Sequence, residues 1–108
     1  MDDDAEIRDQ IRETLHEYTY LKFVEAAGAY EAIQCLKKND FDLIISDLVM
    51  PDGDGLLIFI QLKKYGKLKT PFILFSGSIA AYSLRNAMNV VEKPDFLKLQ
   101  NTIKSLQI

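Results

Sequence analysis

Apolar residues recur along this chain in two rhythms, one helical and one strand-like, and the two alternate. Ile7, Ile11 and Leu15 fall at four-residue spacing with Arg8, Asp9, Arg12 and Glu13 between them, which predicts an amphipathic helix of about three turns. Residues 20–25 (YLKFVE) are aromatic and β-branched, the composition of a short strand. Gly28 breaks the chain. Ala29, Ala32, Ile33 and Leu36 form a second helical stripe, ended by Lys37, Lys38 and Asn39. Residues 41–46 (FDLIIS) read as an apolar strand of the kind buried on both faces.

Residues 47–55 (DLVMPDGDG) read as a loop punctuated by Pro51 and two glycines. A helix is expected over 56–64, a buried strand over 71–75 (PFILF), a short helical piece over 79–88 and a last strand at Val90 and Val91. Asp95 is suited to cap a final helix whose stripe is Phe96, Leu99, Ile103 and Leu106. The expected order is α-β-α-β-α-β-α-β-α. Strands joined by helices pair in parallel with right-handed crossovers, so an open doubly wound sheet is the economical solution. Ligands of such sheets gather at the carboxyl ends of the strands, where Asp47, Ser76 and Lys93 stand.

Composition narrows the class. With 108 residues, 48% hydrophobic and 27% charged, the chain is expected to be a single domain over 1–108 rather than a disordered or fibrous segment. The one cysteine, Cys35, cannot form an internal bridge and reads as a small core residue. Met1 is followed by Asp2, Asp3 and Asp4 instead of a leader, and no apolar run approaches the roughly 20 residues of a membrane span, so a cytoplasmic location is expected. A net charge of −3 argues against a nucleic-acid partner. Lys63, Lys64, Lys67 and Lys69 read as a solvated helix end and loop.

An acidic run at the N-terminus, a carboxylate ending one strand, a hydroxyl ending the next and a lysine ending the last make a coherent chemical set. A carboxylate can attack a phosphoryl donor; a hard divalent cation among carboxylates offsets the charge, while an ammonium and a hydroxyl hold further phosphoryl oxygens. On Asp2-Asp3-Asp4-Ala5-Glu6-Ile7-Arg8, Asp47-Leu48-Val49-Met50-Pro51-Asp52-Gly53-Asp54-Gly55, Ser76-Gly77 and Glu92-Lys93-Pro94, the chain resembles the receiver domains of two-component response regulators.

That resemblance implies a flavodoxin-like (CheY-like) doubly wound parallel sheet. It implies that Asp47 is the phosphoacceptor, assisted by Ser76 and Lys93. It implies a Mg²⁺ ion or similar divalent cation held by Asp2, Asp3, Asp47 and the backbone carbonyl of Val49. Lys93-Pro94 is expected to be cis. The implied partners are a histidine kinase or phosphotransfer protein and a downstream protein target, with no membrane contact. Catalysis is expected to stop at slow self-catalysed transfer and dephosphorylation. With only Ile108 after Gln107, too little for an output domain, signalling is expected through protein–protein contact.

Two departures from the family stand out. Only Met1 precedes the acidic pair, where the family has a hydrophobic first strand at the centre of its sheet. The rows of N–H and C=O groups so exposed call for direct closure of the neighbouring strands, a second chain such as a homodimer partner, or a natural start further upstream. The stretch from Ser76 to Lys93 is also short, and Val90 stands where many receivers carry a switch aromatic.

The remaining polar residues have simpler readings. Asp4 can cap the first helix, and Asp52 and Asp54 shape the turn rather than bind metal. A calcium loop at 51–55 fails, since Leu56 and Lys63 occupy its acidic positions. His16 reads as an exposed helix residue. Against the phosphoacceptor stands an interaction or dimerisation module that keeps the fold and needs no phosphate. A phosphatase resembling the haloacid dehalogenases, on Asp52-Gly53-Asp54-Gly55-Leu56, fits poorly because Pro51 separates that motif from the strand and the chain has no cap domain.

Overall fold

A computed structural model of the chain describes residues 1–18, 21–67, 69–86 and 88–106. The elements are α1 Ala5–Thr14, α2 Ala29–Lys38, β1 Ile44–Ser46, β2 Val49–Met50, β3 Gly53–Asp54, α3 Gly55–Lys64, β4 Phe72–Ser76, α4 Ile79–Tyr82, β5 Asn89–Glu92 and α5 Phe96–Ser105. The main sheet is parallel in the order β1-β4-β5, with Ile45 opposite Ile73 and Leu74 opposite Val90.

β4 is buried at every position, as its unbroken apolar run requires. Alternation sends Phe72 and Leu74 into the cluster under α2 and α3, and Ile73 and Phe75 into the cluster under α1 and α5. Burying each such side chain stabilises the fold by about 1.5–3 kcal/mol. The helices therefore flank the sheet on both faces, giving the doubly wound α/β arrangement expected from the sequence.

Asp4, Asp54 and Asp95 cap α1, α3 and α5 by accepting from Glu6, Leu57 and Lys98 N–H groups. α2 begins at Gly28, which has no side chain to offer, and Asp52 fills the role from a distance. Its two carboxylate oxygens accept from the Ala29 and Tyr30 amides at 2.8 and 3.0 Å. Lys67 does the reverse at the other end of α2. Its ammonium donates to the Leu36 and Asn39 carbonyls and pairs with Asp40 at 3.1 Å, so Lys67 is a docked cap rather than a solvated charge.

Several expected elements are shorter or different. The strand over 41–46 is reduced to Ile44–Ser46, and the helix over 79–88 to Ile79–Tyr82, with position 87 outside the described residues. The 47–55 loop contains the small antiparallel hairpin β2-β3. Residues 21–25 form no strand, and position 20 lies outside the described residues. The reason is the same for 21–25 and 41–43: a strand needs a neighbour, and between them lie only Met1 and Asp2.

What replaces it is a two-residue stub. Met1 donates its ammonium to the Ile45 carbonyl at 2.7 Å and accepts from the Asp47 N–H at 2.9 Å, the pattern of a parallel pair. On the opposite side, Asp2 N–H donates to the Ala26 carbonyl at 3.1 Å. Among the described residues, direct closure of the flanking segments, one of the expected compensations, does not occur. Below the stub the two sides stay apart around a cavity of about 1040 Å³. Cys35 is only half-buried and lines a smaller cavity on the α2 side. Among the described residues no helix is long and apolar enough to cross a membrane.

Candidate functional site

The apolar run of β1 stops at Ser46, and Asp47 is the first residue beyond its carboxyl end. Ser76 ends β4 and Lys93 follows β5. Since β1, β4 and β5 are adjacent and parallel, these three residues emerge side by side at one edge of the sheet, with Ser76 on the middle strand. The stub brings Asp2 to the same edge, because Met1 is paired with Ile45 and Asp47.

Lys93 Nζ lies 2.6 Å from Asp2 Oδ2 and 2.9 Å from Asp47 Oδ2. The Asp2 residue is only 2% exposed, so its carboxylate is held by that ammonium and by the Asp4 N–H, which donates to Oδ1 at 2.9 Å. The second Asp47 oxygen accepts from the Leu48 N–H at 2.7 Å. Burial pulls the Lys93 pKa down, but hydrogen bonds and charge from Asp2 and Asp47 outweigh it and raise the value above 10.5. Met1's amine goes the other way: burial lowers it to about 6, against the opposing pull of Asp2.

Oxygens of Asp2, Asp3 and Asp47 lie within 4.8 Å of one another. An all-oxygen set of this kind, buried on one side and open at Asp3, suits a hard divalent cation that keeps some of its waters. Val49 stands two residues beyond Asp47 in β2, its side chain exposed. Ser76 is buried, with its hydroxyl oxygen accepting from the Ser78 N–H at 3.1 Å. The Lys93-Pro94 bond is cis, as expected.

Other residues stand away from this edge. Asp52 is engaged by α2 and Asp54 by α3, so neither belongs to the acidic cluster, and the dehalogenase-like nucleophile has no free carboxylate. His16 is exposed, its Nδ1 2.6 Å from the Glu13 carbonyl oxygen. Two supporting residues escaped the sequence reading. Ser46 is fully buried and its hydroxyl donates to the Asp47 carbonyl at 2.7 Å. Gly55 packs against that same carbonyl so closely that only glycine fits. The glycine was visible in DGDG; nothing in the sequence marked the serine.

A doubly wound parallel sheet with a carboxylate, a hydroxyl and a lysine at the carboxyl ends of three adjacent strands defines a receiver-type domain. Residues 1–104 match the family model of the response regulator receiver domain, and the chain belongs to that family, the receivers of two-component systems. It is 31% identical over 99 residues to the response regulator SaeR of Staphylococcus aureus, covering 87% of this chain and 42% of that protein. It is also 31% identical over 80 residues to the transcriptional regulatory protein YvrH of Bacillus subtilis, covering 74% of this chain and 34% of that one. The chain thus spans less than half the length of these relatives.

Among solved structures it is similar to the response regulator TrrA of Thermotoga maritima, determined in complex with Mg²⁺-BeF. The TM-score is 0.83 and the identity 28%, over 97% of this chain and 93% of that one. The receiver domain of the Francisella response regulator 1452 gives a TM-score of 0.81 at 25% identity, over 97% and 90%.

Proposed function

We propose that this domain accepts a phosphoryl group on Asp47 in a Mg²⁺-dependent phosphorelay and signals by protein–protein contact. The observation that carries the reading is the Lys93 ammonium shared between Asp2 and Asp47. It supports a site in which one cation already balances two carboxylates that otherwise repel. Asp2, Asp3, Asp47 and the Val49 carbonyl would hold the divalent ion, which supplies charge neutralisation of the attacking and phosphoryl oxygens when bound.

In the transfer, an Asp47 carboxylate oxygen forms the bond to phosphorus as the bond from phosphorus to the donor breaks, and the donor leaves with its electron pair. With phosphohistidine the leaving imidazole takes up a proton. Lys93 pairs with one phosphoryl oxygen and Ser76 donates its hydroxyl proton to another, and these contacts transmit the switch to the surface. Water later hydrolyses the acyl phosphate slowly. The donor is a histidine kinase, a phosphotransfer protein or a small acyl phosphate, the output a downstream protein, the setting the cytoplasm, and 1–108 a single receiver domain.

Incubation with Mg²⁺ and acetyl phosphate tests this. The expected result is a mass gain of one phosphoryl group, lost in Asp47→Asn and on chelation. No gain with any donor would leave the second reading, a phosphate-independent interaction module, which the cavity beside β1 favours.

A further inference from the structure

α3 carries more apolar surface than its packing uses. Residues 56–60 are five apolar positions in a row (LLIFI), whereas a helix lying on a sheet needs apolar side chains on one face only. Ile58 and Leu62 point into the core, and Phe59 meets Phe72 edge-on. Leu57 and Ile60 are left on the outside, 37% and 57% exposed, and the exposed Lys64 follows one turn later. The three make one stripe at i, i+3 and i+7 spacing. None of the α3 residues lines either cavity described above, so this face is the same whatever fills them.

The stripe has opposite charges at its two ends. Asp54 is exposed at the N-cap, and Lys63 and Lys64 are exposed in the last turn. Near the acidic end the apolar area continues toward α2. A Cβ on Gly53 would lie 2.9 Å from Ala29 Cβ and 3.3 Å from Leu57 Cδ2, and Tyr30, next along α2, is 71% exposed.

Such a stripe is complementary to itself when reversed. With a second α3 antiparallel to the first about a twofold axis level with position 59, Leu57 and Ile60 of both copies meet at the centre. Lys64 of each then faces Asp54 of the partner subunit. A parallel pairing would set lysine beside lysine and aspartate beside aspartate. We infer that the outer face of α3 binds the same face of a second copy of this chain, antiparallel, with the apolar pair central and the two charge pairs at the ends. The inference is independent of phosphotransfer on Asp47.

Sedimentation equilibrium of the unaltered chain tests it. A monomer–dimer equilibrium is expected, with a Kd on the order of 10–100 μM as suits a small, partly polar contact. Ile60→Glu puts a carboxylate at the apolar centre and is expected to leave a monomer up to about 1 mM. Lys64→Glu is expected to raise Kd about tenfold or more by facing Asp54 of the partner subunit with a like charge. Adding Asp54→Asn, which keeps a capping side chain and removes the charge, is expected to recover part of that loss. Positions 60 and 64 are both exposed, so the Tm of dilute samples should match the parent. In a Cys35→Ser background, oxidation is expected to link Ile60→Cys chains in pairs but not Lys64→Cys chains, whose cysteines would stand roughly 15 Å apart along the helices. A dimer indifferent to Ile60→Glu or Lys64→Glu, no linkage at position 60, or equal linkage at position 64 overturns the inference. So does a chain that stays monomeric at about 1 mM, which would leave this face to a different partner.

Discussion

A Cβ built on Gly55 would lie 2.6 Å from the backbone carbonyl oxygen of Asp47. It would also meet Leu74 Cδ1 at 3.0 Å and Ser46 Oγ at 3.2 Å. The start of α3 is thus packed directly onto the backbone that carries the acidic side chain. Gly55→Ala must push that backbone away, since the nearest obstacle is rigid. We expect a loss of about 1–3 kcal/mol in urea unfolding, as for other overpacked sites, and slower labelling of Asp47 by acetyl phosphate. Gly77 is the control: its added Cβ would meet nothing nearer than Lys93 Cβ at 4.0 Å. Gly77→Ala should stay within about 0.5 kcal/mol of the parent.

Removing the Lys93 ammonium leaves Asp2 and Asp47 facing each other without their shared counter-charge. Lys93→Met is expected to lose roughly 1–3 kcal/mol without metal, less than a fully buried pair costs because 18% of the lysine side chain meets solvent. Mg²⁺ should return part of that loss, so the metal-induced rise in Tm is expected to be larger in Lys93→Met than in the parent. A smaller rise would count against metal binding at these carboxylates.

Mg²⁺ titration of the parent should itself be stabilising, by about 1.4 kcal/mol at ten times Kd if only the folded state binds. Asp2→Asn and Asp47→Asn should weaken the effect, since both belong to the oxygen cluster. Asp52→Asn should leave Mg²⁺ binding unchanged, because its carboxylate is spent on α2. Calorimetric titration separates the three.

Asp52 also predicts a pH effect. Hydrogen bonds from the Tyr30 and Ala29 amides hold its carboxyl below 3.8. A carboxyl depressed by folding contributes stability above its unfolded value, and that contribution fades as pH falls through the lower folded value. Asp52→Ala should therefore unfold at lower urea than the parent at pH 7. The gap should narrow below pH 3.8, and parallel urea melts across that range measure it.

How much of this was legible beforehand depended on sequence distance. Asp47, Ser76 and Lys93 were readable because each stands where an apolar run ends, and parallel topology then brings strand ends together. The caps at Asp4, Asp54 and Asp95 were local in the same way. Asp52 serving Ala29 and Tyr30, and Lys67 serving Leu36 and Asn39, join residues more than twenty positions apart, which no local pattern encodes. The strand expected over 20–25 does not form at 21–25 for a related reason. Strand propensity describes fitness for a sheet surface, and residues 21–25 had no adequate neighbour to pair with.

α1 has no buried residue along its length, and Ile11 and Arg12 line the cavity beside it. Ile7 and Ile11 pack, part-buried, on the core cluster of Ile73 and Phe75, and ion pairs to Glu25, contacts with α5 and the Asp2–Asp4 turn complete the attachment. Asp2 and Asp3 lead directly into this helix, and whatever grips those carboxylates also steadies its first turn. Amide exchange along Ala5–Thr14 becomes a remote gauge of the acidic edge: quick when it is empty-handed, slow when a cation has hold of it.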